Sequence, residues 1–142
     1  MSVGSTGYLL DTVVLSELRK TARDPHVEAW IAQQDGARLF ISVVTLGEIE
    51  RDIAKVEARD PDFAAKLSAW AATTTTLYAT HVLPVDTRIA RRWGRLTHDL
   101  GRSDADVLIA ATALEHDLTV VTRNVRHFEP TGVAVHDPFD GP

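Results

Sequence analysis

Three carboxylates and one carboxamide stand where their chemistry can be pooled. Asp11 closes the apolar run Tyr8-Leu9-Leu10, and Glu48 lies in the first turns of a helical pattern after Leu39-Phe40-Ile41. Asp106 opens a long apolar stretch, and Asn124 follows Leu118-Thr119-Val120-Val121. Carboxylates brought together repel, at a cost on the order of 4 kcal/mol for two charges about 4 Å apart in an effective dielectric near 20. A fold keeps such a group when something offsets the repulsion, and a hard divalent cation with oxygen ligands is the usual agent. Mg²⁺ or Mn²⁺ held this way lowers the pKa of a bound water and neutralises charge developing on a phosphate. That is the chemistry of phosphodiester hydrolysis.

Each residue also has a plainer reading. Asp11 fits an ordinary turn or cap, and both Thr45 with Glu48 and Ser103 with Asp106 fit capping boxes. Asn124 suits a turn, Asp104 complements a positive helix end, and Asp86 resembles an N-cap. Taken singly, capping is the stronger explanation for Glu48 and Asp106. Capping does not explain why all of them fall on one edge.

The elements that would create that edge are visible as periodicities. Five short apolar runs read as strands: Tyr8-Leu9-Leu10, Leu39-Phe40-Ile41, His81-Val82-Leu83, Leu118-Thr119-Val120-Val121 and Gly132-Val133-Ala134-Val135. Continuous runs of this kind suit strands covered on both faces. Helical patterns lie between them. They are marked by Val27, Trp30 and Ile31; by Leu46, Ile49, Ile53 and Val56; by Phe63, Leu67, Trp70, Leu77 and Tyr78 after an Asp60-Pro61 break; and by Ile89, Trp93, Leu96 and Leu100, with Gly101 as C-cap. Residues 104–116 are apolar nearly all round and are expected to be central. Strands alternating with helices predict an α/β fold, a three-layer α/β/α sandwich around a mostly parallel five-stranded sheet. In such sheets, sites form beyond the carboxyl ends of the strands.

Bulk properties narrow the classes. With 142 residues the chain is expected to form one domain, with residues 1–7 as a loose N-terminal segment. It is 44% hydrophobic and 25% charged, with no apolar stretch long enough for a membrane span and no leader pattern, so a cytoplasmic location is expected. The absence of cysteine excludes disulfides, thiolate zinc sites and a cysteine nucleophile. The six histidines are too scattered for a zinc site and receive no role. A net charge of −5 argues against a protein that simply coats nucleic acid, but an acidic cation site produces the same balance.

Several segments resemble the VapC-type toxins of the PIN-domain superfamily. The stretch from Tyr8 through Asp11-Thr12-Val13-Val14-Leu15-Ser16-Glu17-Leu18 is similar to their first motif, an apolar strand followed by D-T-N-V-L-S-E. Ile41-Ser42-Val43-Val44-Thr45-Leu46-Gly47-Glu48-Ile49 resembles the second, with Glu48 on its glutamate. Asp106-Val107-Leu108-Ile109-Ala110-Ala111-Thr112-Ala113 resembles the third, and residues 118–128 the last, with Asn124 at a position that is aspartate or asparagine. The resemblance runs from residue 8 to near the C-terminus. It implies a PIN-like fold, an Mg²⁺- or Mn²⁺-dependent endoribonuclease, a VapB-like antitoxin as partner, and a homodimer. It assigns metal binding to Asp11, Glu48 and Asp106, with Asn124 completing the catalytic set. Val13 departs from the motif, since the asparagine usual there supports the acidic pocket. Valine neither donates nor accepts a hydrogen bond, so weaker orientation of Asp11 is expected. Asp52 stands where many relatives have glycine.

Other segments carry binding chemistry of their own. Arg88, Arg91, Arg92 and Arg95 recur at helical spacing, and Arg91 and Arg95 are candidates for RNA phosphates, against the plainer reading of a solvated face. Arg123 is the better-placed phosphate contact. Trp70, Phe63 and Leu67 read as core, and a groove between the helices at residues 46–56 and 63–78 is the expected antitoxin seat. The alternatives are a PIN nuclease acting outside a toxin–antitoxin pair and a non-catalytic α/β binding module whose acids only cap helices.

Overall fold

The computed structural model describes residues 7–140. Its sheet has five strands: β1 (Gly7–Leu10), β2 (Leu39–Ser42), β3 (Val82–Leu83), β4 (Leu118–Val121) and β5 (Val135–His136). They lie in the order β3-β2-β1-β4-β5, and every pairing is parallel, so the sheet is parallel throughout and not merely mostly so. All carboxyl ends therefore share one edge.

Register and the two-residue side-chain period explain why the strands are apolar on both faces. Leu9 pairs with Phe40 and Val120, while Leu10 pairs with Val121. Leu10, Leu39, Ile41 and Val121 join one core with α1 (Thr12–Arg19), α2 (Pro25–Gln33), α3 (Val43–Glu57) and α4 (Pro61–Leu77). Leu9, Leu118 and Val120 join the other, with Ile109, Ala110 and Ala113 of α6 (Ala105–His116), and Phe128 of α7 (Val125–Phe128). Helix α5 (Thr87–Leu100) packs on α6. The expected three-layer sandwich is present.

Local chemistry sets the element boundaries. Pro61 opens α4 behind an Asp60 cap, and Asp86 caps α5 by accepting from the Ile89 amide. Gly101 closes α5 in the left-handed region at φ 65°, where a side chain would be strained. Gly7 begins β1, so only residues 1–6 of the expected loose segment fall outside the described residues. A Cβ at Gly7 would stand 2.5 Å from the carbonyl oxygen of Arg38, which explains the glycine.

Four expectations change. Helix α1 is an element the periodicities do not reveal, because Thr12-Val13-Val14-Leu15 continues the strand-like composition of β1. Strand β3 starts at Val82, since residues 79–81 form a 3₁₀ turn. Strand β5 is Val135–His136, because Gly132, at φ 82°, ends another such turn. On α4, Leu67 is buried and Trp70 packs against the core, but Phe63 and Leu77 are exposed, Leu77 by 76%. No helix among the described residues is long and apolar enough to cross a membrane.

Phe128 is the largest fully buried side chain. Replacing it with alanine removes packing on the α6 face, and Phe128→Ala should lower unfolding free energy by about 3–5 kcal/mol. Urea unfolding followed by circular dichroism measures this. A loss below about 1 kcal/mol would mean that the site's last segment is not anchored as described.

Candidate metal centre

Asp11 is the centre of the site. Its backbone N–H donates to the carbonyl of Val121 at 3.0 Å, extending the β1–β4 ladder by one bond. Its side chain then caps α1, with Oδ1 accepting from the Thr12 amide at 2.9 Å. Oδ2 accepts from the Thr122 hydroxyl at 2.8 Å, and both residues are buried. The turn and cap reading of Asp11 was thus correct, and it does not compete with the functional one. Capping is how the carboxylate is aimed.

The other two acids are released from capping by their neighbours. The N-cap of α3 is Ser42, whose hydroxyl accepts from Val44 N. Glu48 instead accepts from the Thr12 hydroxyl at 2.7 Å, while Arg51 lies 3.8 Å from its other oxygen. Thr45, its expected capping-box partner, has a buried hydroxyl with no hydrogen-bond partner. The N-cap of α6 is Asp104, which accepts from Asp106 N at 3.1 Å, so the carboxylate of Asp106 is not needed as a cap. Thr12 is therefore a double link. Its amide holds Asp11 and its hydroxyl holds Glu48.

Burial raises the pKa of Asp11 to about 6, and the charges of Asp106 and Glu48 push in the same direction against the lowering hydrogen bonds of Thr122 and Thr12. Both acids thus lie within electrostatic reach of Asp11, though they come from different helices.

Asp104 is different in kind. The guanidinium of Arg102 grips both its oxygens, at 2.7 and 2.9 Å, and holds its pKa down at about 2. Among the described residues, the three potential ligands whose donor atoms all lie within 4.8 Å of one another are Asp104, Asp106 and His127. That set omits Asp11 and Glu48. Because Arg102 already neutralises Asp104, it is a poor cation cage, and hard oxygen donors remain at Asp11, Glu48 and Asp106. The charges of Asp106 and Glu48 both act on Asp11, and an all-oxygen donor set of this kind suits a hard divalent cation such as Mg²⁺ or Mn²⁺. His127, given no role from sequence, places Nδ1 2.5 Å from Oδ2 of Asp106.

The remaining candidates divide. Asn124 is exposed at the N-cap of α7, its side chain makes no capping bond, and its amide donates to the Thr122 hydroxyl. Arg123 stacks over Phe139 at 3.7 Å and lines a groove with Asn124, Arg126 and His127. In the arginine stripe, Arg88 and Arg92 pair with Glu115, near the end of α6 opposite Asp106. The two acids are nine positions apart on the helix, roughly 13 Å along the axis. Arg91 and Arg95 line grooves beside His98 and Asp99. Val13 packs into the core while Thr12 and Thr122 hold both oxygens of Asp11, so its orientation does not depend on a polar residue at position 13. Asp52 is exposed on α3. Sequence reasoning missed Thr12, Thr122, Arg102 and His127. The signal available was proximity in the chain, since each lies within three residues of a predicted site residue or of Asp104.

A parallel α/β sandwich with a buried aspartate at its carboxyl edge, within electrostatic reach of two further acids, defines a class of α/β proteins with an acidic site at that edge. Residues 8–132 match the PIN domain family, and the chain belongs to that family. It is 33% identical over 139 aligned residues to the VapC ribonuclease Y4jK of Sinorhizobium fredii, covering 93% of this chain and 97% of that protein. The solved structure of FitAcB from Neisseria gonorrhoeae superposes with a TM-score of 0.81 at 29% identity, covering 93% of this chain and 98% of that one. VapBC-5 from Mycobacterium tuberculosis, a member of the VapBC family of toxin-antitoxin systems, superposes with a TM-score of 0.63 at 28% identity, covering 92% and 96%.

The raised pKa of Asp11 makes the stability of the cation-free protein pH-dependent. The folded state keeps a proton to about pH 6, whereas the unfolded chain releases it near 3.8. Within that window the native state binds more protons, so stability falls as pH rises, by up to the order of 3 kcal/mol. Denaturant unfolding in EDTA between pH 4 and 7 should show this fall, and Asp11→Asn should flatten it. An unchanged slope in that variant would remove Asp11 as its source.

Proposed function

We propose that this chain is an Mg²⁺- or Mn²⁺-dependent endoribonuclease and the toxin member of a toxin–antitoxin pair. The observation that carries the reading is a buried Asp11 whose carboxyl is pushed up by burial and by the charges of Asp106 and Glu48 at the carboxyl edge of a PIN fold. The VapC ribonuclease relative and the VapBC-5 neighbour support the substrate class and the existence of an antitoxin partner.

Asp11, Glu48 and Asp106 are the proposed ligands, and Asn124 offers a carboxamide at the exposed margin of the same edge. A divalent cation held there supplies an activated water and offsets charge on the scissile phosphate. The residues of the chain do the rest. Thr12 and Thr122 aim the carboxylates, and the burial of Asp11 keeps water from screening them. Arg123, braced on Phe139, presents a cation to the backbone of the RNA in the adjoining groove. Attack by water on phosphorus leaves 5′-phosphate and 3′-hydroxyl ends. The same reading makes the protein a homodimer seated on a VapB-like antitoxin.

Asp106→Asn should abolish RNA cleavage and growth inhibition with the thermal midpoint preserved. The loss should exceed the roughly 10–100-fold typical of an outer-shell partner, because a ligand itself is removed. EDTA should stop the unsubstituted protein, and Mn²⁺ should restore it. Sequencing of cellular RNA ends after induction checks products and dependence together, and full activity of the variant would end the mechanism. Arg123→Ala should weaken RNA binding and reduce its salt slope by about 1. Equal effects from Arg91→Ala or Arg95→Ala would instead return the stripe to the substrate path.

A further inference from the structure

We propose that His127 is a positioning residue, donating from Nδ1 to Oδ2 of Asp106 and thereby setting that carboxylate relative to Asp11. The inference rests on the reading of Asp106 as a cation ligand given above. It assigns His127 no contact with substrate.

The geometry begins with the segment after β4, which touches both aspartates. The Thr122 hydroxyl donates to Oδ2 of Asp11 at 2.8 Å and accepts from the Asn124 amide at 3.0 Å. Three residues further on, the ring of His127 meets Asp106 at 2.5 Å. One short stretch of chain thus spans from a strand-end acid to a helix-start acid. No other contact described between the two elements reaches the Asp106 carboxylate.

His127 is itself held. Its N–H donates to the Asn124 carbonyl at 3.0 Å, and its carbonyl accepts from Nη1 of Arg102 at 2.6 Å. The next residue, Phe128, is fully buried. The remaining nitrogens of Arg102 bind Asp104, and Oδ1 of Asp104 accepts from the Asp106 amide. Arg102, Asp104, Asp106 and His127 therefore close a ring of hydrogen bonds around the start of α6. In that ring Asp104 fixes the backbone of Asp106, and among the described residues the hydrogen bond to its side chain comes from His127. The tautomer with its proton on Nδ1 is the one that donates to a carboxylate oxygen, and it is the one this role of His127 requires. With Oδ2 engaged, Oδ1 of Asp106 has no protein partner described and is left for a cation. Hydrogen bonds to ligating carboxylates orient them, and their loss typically costs 10–100-fold in metal affinity.

The test is Mn²⁺ binding by calorimetry at one pH and ionic strength, on the full chain and on His127→Ala and His127→Asn, with thermal midpoints measured alongside. An asparagine amide can place a donor where Nδ1 stands, and alanine cannot. Alanine should raise the Mn²⁺ Kd by about 10–100-fold and asparagine should recover most of the affinity. Both midpoints should stay close to that of the unsubstituted chain, because the His127 side chain is 51% exposed. Binding by the alanine variant as tight as that of the unsubstituted chain, or tighter, would overturn the inference and leave the metal centre standing. Asparagine as weak as alanine would also overturn it, since the donor would then not be what matters. Absence of Mn²⁺ binding by the unsubstituted chain would overturn the metal centre and this inference together.

Discussion

Electrostatic repulsion held in place by the backbone is the constraint on which the rest depends. Asp11 is pinned at both oxygens and cannot turn away from the acids that face it. The two residues that pin it, Thr12 and Thr122, belong to the strand–helix junctions themselves. The parallel sheet brings these junctions to one edge, and the capping requirements of α1, α3 and α6 decide which side chains point outward. Polar groups near a helix start compete for a small number of free amides. Ser42 and Asp104 win that competition, which leaves Glu48 and Asp106 for other work.

Much of this was legible in the sequence, and the illegible part has a physical cause. Continuous apolar runs separated by helical periods were enough to predict the parallel sheet, whose strand β1 ends at Asp11 and whose strand β2 leads into the helix of Glu48, while Asp106 opens the helix that returns to the start of β4. The choice among neighbouring caps was not legible. Thr45 and Ser42 both carry hydroxyls, and Ser103 stands beside Asp104 with another, and a sequence pattern cannot tell which donor and acceptor will align. Helix α1 escaped notice because its first residues are β-branched or apolar like the strand before it. Histidine 127 escaped because spacing rules test for direct metal ligands, whereas its contact is with a carboxylate 21 residues away.

Val13 shows how a motif departure is absorbed. The resemblance placed an asparagine there as support for the pocket, yet position 13 faces the core and both oxygens of Asp11 are satisfied by threonines. Support for a carboxylate is a question of which donors reach it, and two strand-end hydroxyl and amide groups already do. Glu17 is a related case of an acid with a purely architectural task. Largely buried, it accepts from Lys20 and from the Asp24 amide and so ties α1 to the start of α2.

The two outermost strands, β3 and β5, are each only two residues long. An edge that short presents too few unpaired amides and carbonyls to template another chain, a common protection of natural sheets against end-to-end growth. Any protein that associates with this one must therefore grip helices and side chains instead of extending the ladder. Complex formation would then leave the backbone hydrogen-bond pattern of the sheet, and the placement of the acids at its rim, undisturbed.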